Sequence, residues 1–151
     1  MRSTERTALL TAAGGLVGAP VLGALLVAGL YQYGLSVMPE RPRLDAPKVA
    51  SPLLHAAVWA RFGGTGAPRF APMTIWGFVS LRACRFSGGA EGREACLRGH
   101  PGVALADALA RQHARSLAVP ADGLETIATA GWLTRNASAD RVIDSLLAAR
   151  P

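Results

Sequence analysis

Lysine, histidine, cysteine and aromatic residues are all scarce in this chain, and each scarcity removes a class of function. Lys48 is the single lysine among 16 basic residues, so positive charge is carried almost wholly by arginine. Aromatic residues make up 6% of the sequence and are not interleaved with basic clusters. That removes the pattern of stacking platforms and cations by which nucleic acid is bound, and nucleic acid is not an expected partner. The three histidines, His55, His100 and His113, are too scattered to form a metal set, and the two cysteines show no CxxC spacing. No metal and no cofactor is expected. No G-x-S-x-G elbow is present. The glycine-rich stretch Gly63-Gly64-Thr65-Gly66 has neither a preceding strand nor a following Lys-Ser/Thr, which a phosphate loop needs.

What the chain does have is one long apolar run. Thr7 to Tyr31 contains no charged residue, with Arg2, Glu5 and Arg6 before it and Glu40, Arg41 and Arg43 beyond it. A helix of about 20 residues crosses a bilayer core, so the run predicts a transmembrane anchor. The rival is a cleavable signal peptide, but its apolar region is shorter, about 7–15 residues. Tyr31 and Tyr33 at the far end read as an interfacial aromatic belt. Arg2 and Arg6 favour an N-terminus held inside and a C-terminal part outside, at the cytoplasmic membrane. Gly14 and Gly18, and Gly15, Ala19 and Gly23, recur at four-residue spacing, which suits close helix association, to itself or to another chain. Glycine is also common in spanning helices for no such reason.

The rest of the chain predicts a small, mainly α-helical unit. Residues 1–6 form a short start, 7–31 the anchor, 32–52 a spacer and 53–151 the domain. Four prolines between Met38 and Pro52 suggest an extended linker. Ser51 is placed to cap a helix whose first turn holds Pro52 and whose apolar positions are Leu54, Val58 and Trp59. Residues 69–85 are apolar without a decisive period, and Phe86 to His100 reads as a polar, glycine-rich loop. Three helices complete the chain: Val103–Val119, Leu124–Arg135 and one capped by Ser138. Their stripes are Leu105 and Leu109; Leu124, Ile127, Ala128 and Gly131; and Val142, Ile143, Leu146 and Leu147.

Charge and cysteine point to the compartment and partner. The formal charge is +6, and a basic domain beside a membrane is attracted to anionic lipid. Outside the membrane, Cys84 and Cys96 can form a disulfide stabilising by roughly 3 kcal/mol; two buried thiols are the alternative. Arg82, Arg85, Arg93 and Arg98 surround the intervening loop, as contacts for pyrophosphate or headgroups or as a solvated basic face. Trp59, Trp76 and Trp132 read as core or membrane-interface residues.

The stretch Glu125-Thr-Ile-Ala-Thr-Ala-Gly-Trp-Leu-Thr-Arg-Asn-Ala-Ser-Ala-Asp-Arg-Val-Ile-Asp-Ser-Leu-Leu147 resembles a segment of the peptidoglycan glycosyltransferases, the transglycosylase domains of penicillin-binding proteins. Trp132, Leu133, Arg135, Ser138, Asp140, Ile143 and Leu146 fall in matching slots. Ala110 to Leu117 resembles the tail of that family's T-Q-Q-L-A-K-N-L motif, with Gln112 on the second glutamine and Arg115 on the lysine. The resemblance covers about 40 residues. It implies a truncated lysozyme-like helical domain behind a membrane anchor, acting on or binding lipid-linked cell-wall precursors.

The family's acidic slots are filled differently here. In E-D-x-x-F-x-x-H-x-G, His100 and Gly102 fit, but Arg93 occupies the glutamate position and Leu97 the aromatic one. In R-K-x-x-E, Thr126 stands where the second glutamate belongs. Arginine cannot accept a proton at neutral pH. Glu94 and Glu125, each one residue off, are the remaining carboxylate candidates. Arg93, Arg98, Gln112 and Arg115 are the candidate binding residues. The expectation is a non-catalytic protein accessory to cell-wall synthesis, facing the periplasm. The alternatives are a divergent active glycosyltransferase and a single-pass structural subunit of a membrane complex.

Overall fold

The computed structural model describes residues 3–44, 50–86 and 89–148, with side chains from residue 20 onward except at 89, 90 and 93. Arg2, Lys48 and the side chains of Arg6 and Arg93 lie outside the described residues. Seven helices and no strand occur among them: α1 (Ser3–Val37), α2 (Pro52–Arg61), α3 (Ile75–Phe86), α4 (Gly89–Leu97), α5 (Pro101–Ser116), α6 (Leu124–Asn136) and α7 (Ala139–Ala148).

α1 runs six residues past the expected end of the anchor. Its segment Pro20–Val37 is long and apolar enough to cross a membrane, a property shared by anchors and by signal sequences. The extension has a packing cause. Val27, Tyr31, Gly34 and Leu35 share one helical stripe, and Val27, Tyr31 and Leu35 pack against the domain core. A Cβ on Gly34 would lie 2.8 Å from the Ala128 methyl and 2.9 Å from the Leu124 carbonyl oxygen. Only glycine permits α1 and α6 to approach this closely. On the facing helix, a Cβ at Gly131 would come within 3.1 Å of the Tyr31 ring.

Of the segment read as a spacer, 32–52, residues 32–37 belong to α1, and residues 38–44 and Ala50 lie against the domain; residues 45–49 are outside the described residues. Met38 and Ala50 are buried, the Glu40 carbonyl lies 2.6 Å from His113 Nε2, and Arg41 stacks over the Trp132 ring at 5.4 Å. Prolines here break helix without making the chain extend freely, because apolar residues between them find a surface to cover.

α5, α6 and α7 form the centre. Leu105, Ala106, Leu109 and Ala110 of α5 meet Ile127, Ala128, Ala130 and Leu133 of α6, with Val142 and Ile143 of α7 closing the cluster. The alanines let the helices pack tightly. α6 is buried almost all round, not on one stripe alone, since α1, α3 and α5 all pack on it. Its threonines tolerate this because their hydroxyls bond to backbone carbonyls: Thr126 to Pro120 at 3.2 Å, Thr129 to Glu125 at 2.8 Å and Thr134 to Gly131 at 2.9 Å. Ser138 Oγ accepts from the Arg141 N–H at 3.3 Å at the start of α7.

The segment read as a loop, Phe86 to His100, contains α4. Nine residues with two glycines have weak helical preference. Tertiary ties hold them: Leu97 is buried, and Cys96 is joined to Cys84 of α3 by a disulfide with Cα atoms 5.7 Å apart. α3 occupies the second half of the undecided stretch. The Thr74 hydroxyl accepts from the Gly77 N–H at 3.1 Å, and Phe78, Leu81 and Cys84 face inward.

α2 is capped by Ser51, whose Oγ accepts from the Leu54 N–H at 3.3 Å. Its buried positions are His55 and Trp59; Leu54, expected inside, is exposed. His55 displaces it because the ring bonds on both sides, Nδ1 to Asp140 at 3.1 Å and Nε2 to Asp144 at 3.0 Å. Asp144 Oδ1 also accepts from the Ala50 N–H at 3.2 Å. An isolated histidine in the sequence thus becomes the clamp between α2 and α7.

Candidate functional site: an arginine-lined cleft

The glycine-rich turn after α2 builds one wall of a cleft. Gly63 has φ of +84°, and a Cβ on it would lie 2.9 Å from the Arg98 carbonyl oxygen. The turn thereby brings the end of α2 against the end of α4. Gly64 lies flat on the Trp59 indole, where a Cβ would fall 2.2 Å from the ring, and Trp59 Nε1 donates to the Thr65 carbonyl at 3.4 Å. These glycines serve close packing, in keeping with the missing features of a phosphate loop.

The opposite wall is α5. Ala104, Ala108, Arg111 and Arg115 recur at helical spacing on one face, while Leu105, Ala106, Leu109 and Ala110 turn to the core. α4 adds Glu94 and Leu97, with Arg98 just beyond its end, and α2 adds Arg61. Together they enclose a cleft of about 600 Å³. Small alanine side chains leave the space, and long arginines rim it.

The electrostatics are unbalanced. Arg61, Arg98, Arg111 and Arg115 line the cleft against two carboxylates, Glu94 and Asp107. Asp107 is committed to Arg85, both side chains being nearly inaccessible at 4% and 2%. Arg85 also donates to the Gly123 carbonyl at 3.1 Å and to that of Ala121 at 3.4 Å. It therefore ties α3 to the start of α6 and is withdrawn from the basic surface assigned to it. Arg111 donates to Asp122 at 2.6 Å. Arg61, Arg98 and Arg115 are exposed. Planar guanidiniums on three elements around one space suit the oxygens of a phosphate or pyrophosphate.

Comparisons with protein-family models, with curated proteins and with solved structures find no match to this chain. The site stands on its own geometry.

That geometry sorts the expected residues. Glu94, Arg98 and Arg115 meet in the cleft. Gln112 is half-buried on α5 and is not among the lining residues. Glu125 lies elsewhere, in the first turn of α6, with its carboxylate folded over Gly123, where an added Cβ would lie 2.0 Å from Oε1. The two candidate carboxylates thus do not converge. Among the described residues no group of three His, Cys, Asp or Glu side chains is placed to hold a metal ion. Arg61 and Arg111 are the residues that sequence reasoning missed. Arg111 was detectable, four residues before Arg115 on one helix. Arg61 was not, because its position depends on the turn at Gly63.

Proposed function

We propose that this chain is a single-pass membrane protein with its N-terminus inside, and that its helical domain lies at the outer face of the cytoplasmic membrane. There the cleft binds the phosphate or pyrophosphate of a lipid-linked precursor without turning it over, in a role accessory to cell-wall synthesis. The observation that carries this reading is the convergence of four arginines on one cleft, Arg61, Arg98 and Arg115 exposed and Arg111 paired with Asp122, with Glu94 and the Arg85-bound Asp107 as the carboxylates among the described lining residues. The resemblance of residues 125–147 to the glycosyltransferases supplies the cell-wall setting.

The missing chemistry supports a binding role. Glycan transfer needs a base for the incoming hydroxyl and cations for the departing pyrophosphate. The cations are abundant, whereas Asp107 is bound up with Arg85 and Glu125 lies outside the cleft. The test is purified full-length protein in detergent with labelled lipid-linked disaccharide. Binding should weaken as salt rises and fall with Arg98→Gln or Arg115→Gln, and no polymer should form.

Glu94 itself keeps one enzymatic reading in view, since a lone carboxylate among arginines can act as a base. Polymer that disappears on Glu94→Gln would establish a divergent glycosyltransferase. A structural subunit is favoured by the apolar outer face of α1, and absence of both binding and turnover would select it.

A further inference from the structure

Among the described side chains, α1 leaves Leu22, Leu25 and Leu26 in the open before it meets the domain and Leu30 and Val37 in the open beside it, and next to it α3 exposes Ile75, Val79 and Trp76, the last at 78%. The two helices flank an apolar groove of about 240 Å³, with Val27, Ala28 and Tyr31 on one bank, Ile75 and Phe78 on the other, and Met73 beneath. A surface this apolar requires a covering.

Helix length indicates what covers it. From Thr7, the first residue of the uncharged run, about 20 residues at 1.5 Å each span the roughly 30 Å of a hydrocarbon core. That count ends near Leu26, and among the described side chains of α1 the first to pack on the domain core is Val27. The groove and Trp76 therefore sit at the depth of the lipid headgroups, where tryptophan and tyrosine accumulate. Cations border the same face. Arg135 lies 4.9 Å above the Tyr31 ring and Arg82 lies 4.4 Å above the Phe86 ring. Both residues are exposed; Arg135 also donates to the Met73 carbonyl and Arg82 to that of Asp122 at 3.4 Å, and the remaining N–H groups of each guanidinium suit lipid phosphates.

We propose that the face formed by α1 and α3 is seated in the headgroup layer, with one phospholipid acyl chain in the groove and lipid phosphates on Arg82 and Arg135. This rests on α1 as a membrane span. The test uses the full chain in liposomes of phosphatidylglycerol and phosphatidylcholine carrying bromine on the acyl chains near the headgroup. The Trp76 component of fluorescence is taken by difference from Trp76→Phe. Brominated lipid should quench most of it, as for an indole at the depth where tryptophan accumulates, and aqueous acrylamide should quench it little. Ala28→Phe, which fills the groove from an exposed position, should abolish co-purification of one phospholipid seen by native mass spectrometry. Liposomes that do not retain the protein through carbonate washing overturn the anchor and the seat together. Retention with Trp76 quenched by acrylamide alone overturns the seat and leaves the anchor. Shielding from both quenchers shows a protein cover and overturns the seat, and unchanged lipid retention in Ala28→Phe overturns the groove.

Discussion

Replacing Gly29 and Gly34 by alanine, one at a time, separates helix preference from helix packing. Both lie in α1, and a methyl at either raises intrinsic helical stability by up to about 1 kcal/mol. At Gly29 the methyl meets nothing within 4 Å, so that gain stands. At Gly34 it meets the Ala128 methyl at 2.8 Å and the Leu124 carbonyl oxygen at 2.9 Å. Neither neighbour is the free end of a long side chain. Both are fixed to the α6 backbone, so the helices must part. Overpacking of this kind costs about 1–3 kcal/mol, and parting would also disturb the edge-on contact of Tyr31 with Phe78, whose centroids are 6.2 Å apart. The preference gain is common to both variants, so their difference isolates the packing. It should be about 1–3 kcal/mol, or about 2–12 °C in melting midpoint for a chain of this size. The assay is thermal unfolding of the full-length protein in one detergent, followed by far-UV circular dichroism. Gly29→Ala should melt at or above the wild type and Gly34→Ala below it. Equal midpoints, or a higher one for Gly34→Ala, would refute the close crossing and detach α1 from the domain.

His55→Ala should cost about 1–3 kcal/mol, because it takes the imidazole hydrogen bond from the buried Asp144 and leaves that carboxylate with less than its full set, the Ala50 N–H remaining. Adding Asp144→Asn should recover part of the loss in denaturant titrations, and strict additivity would contradict the clamp. Cys84→Ser with Cys96→Ser removes the link between α3 and α4 and should lower stability by roughly 3 kcal/mol; an unchanged midpoint, with or without reductant, would count against that link. Gly64→Ala places a methyl in the Trp59 ring and should destabilise by about 1–3 kcal/mol, with a red-shifted Trp59 emission as its signature.

The C-terminal helices were legible because α5 and α7 each obey one period, and the stop at Pro120-Ala-Asp-Gly123 and the cap at Ser138 agree with it. α4 was not legible, since its glycines and charges describe a loop and only Leu97 and the link through Cys96 make it a helix. The clamp at His55 was hidden for a related reason: its partners lie 85 and 89 residues away. The cleft was half legible. Glu94, Arg98 and Arg115 could be named from sequence, but their convergence depends on a glycine turn whose φ angles no residue pattern states. α6 was misjudged in degree, because threonines that bond their own backbone count as polar in a sequence and behave as apolar inside.

Among the described residues, the close crossing at Gly34 and the contacts of Met38 to Leu44 fix α1 against the domain. For a chain held in a bilayer by α1, the domain cannot swing on a tether like a buoy on a rope. It stands like a bracket on a post, and any tilt of the post turns the bracket by the same angle. The cleft then works at a set height and bearing above the lipid, within reach of ligands presented at that level and closed to those that are not. A thicker bilayer, by changing the tilt of α1, would re-aim the cleft with no residue in it altered.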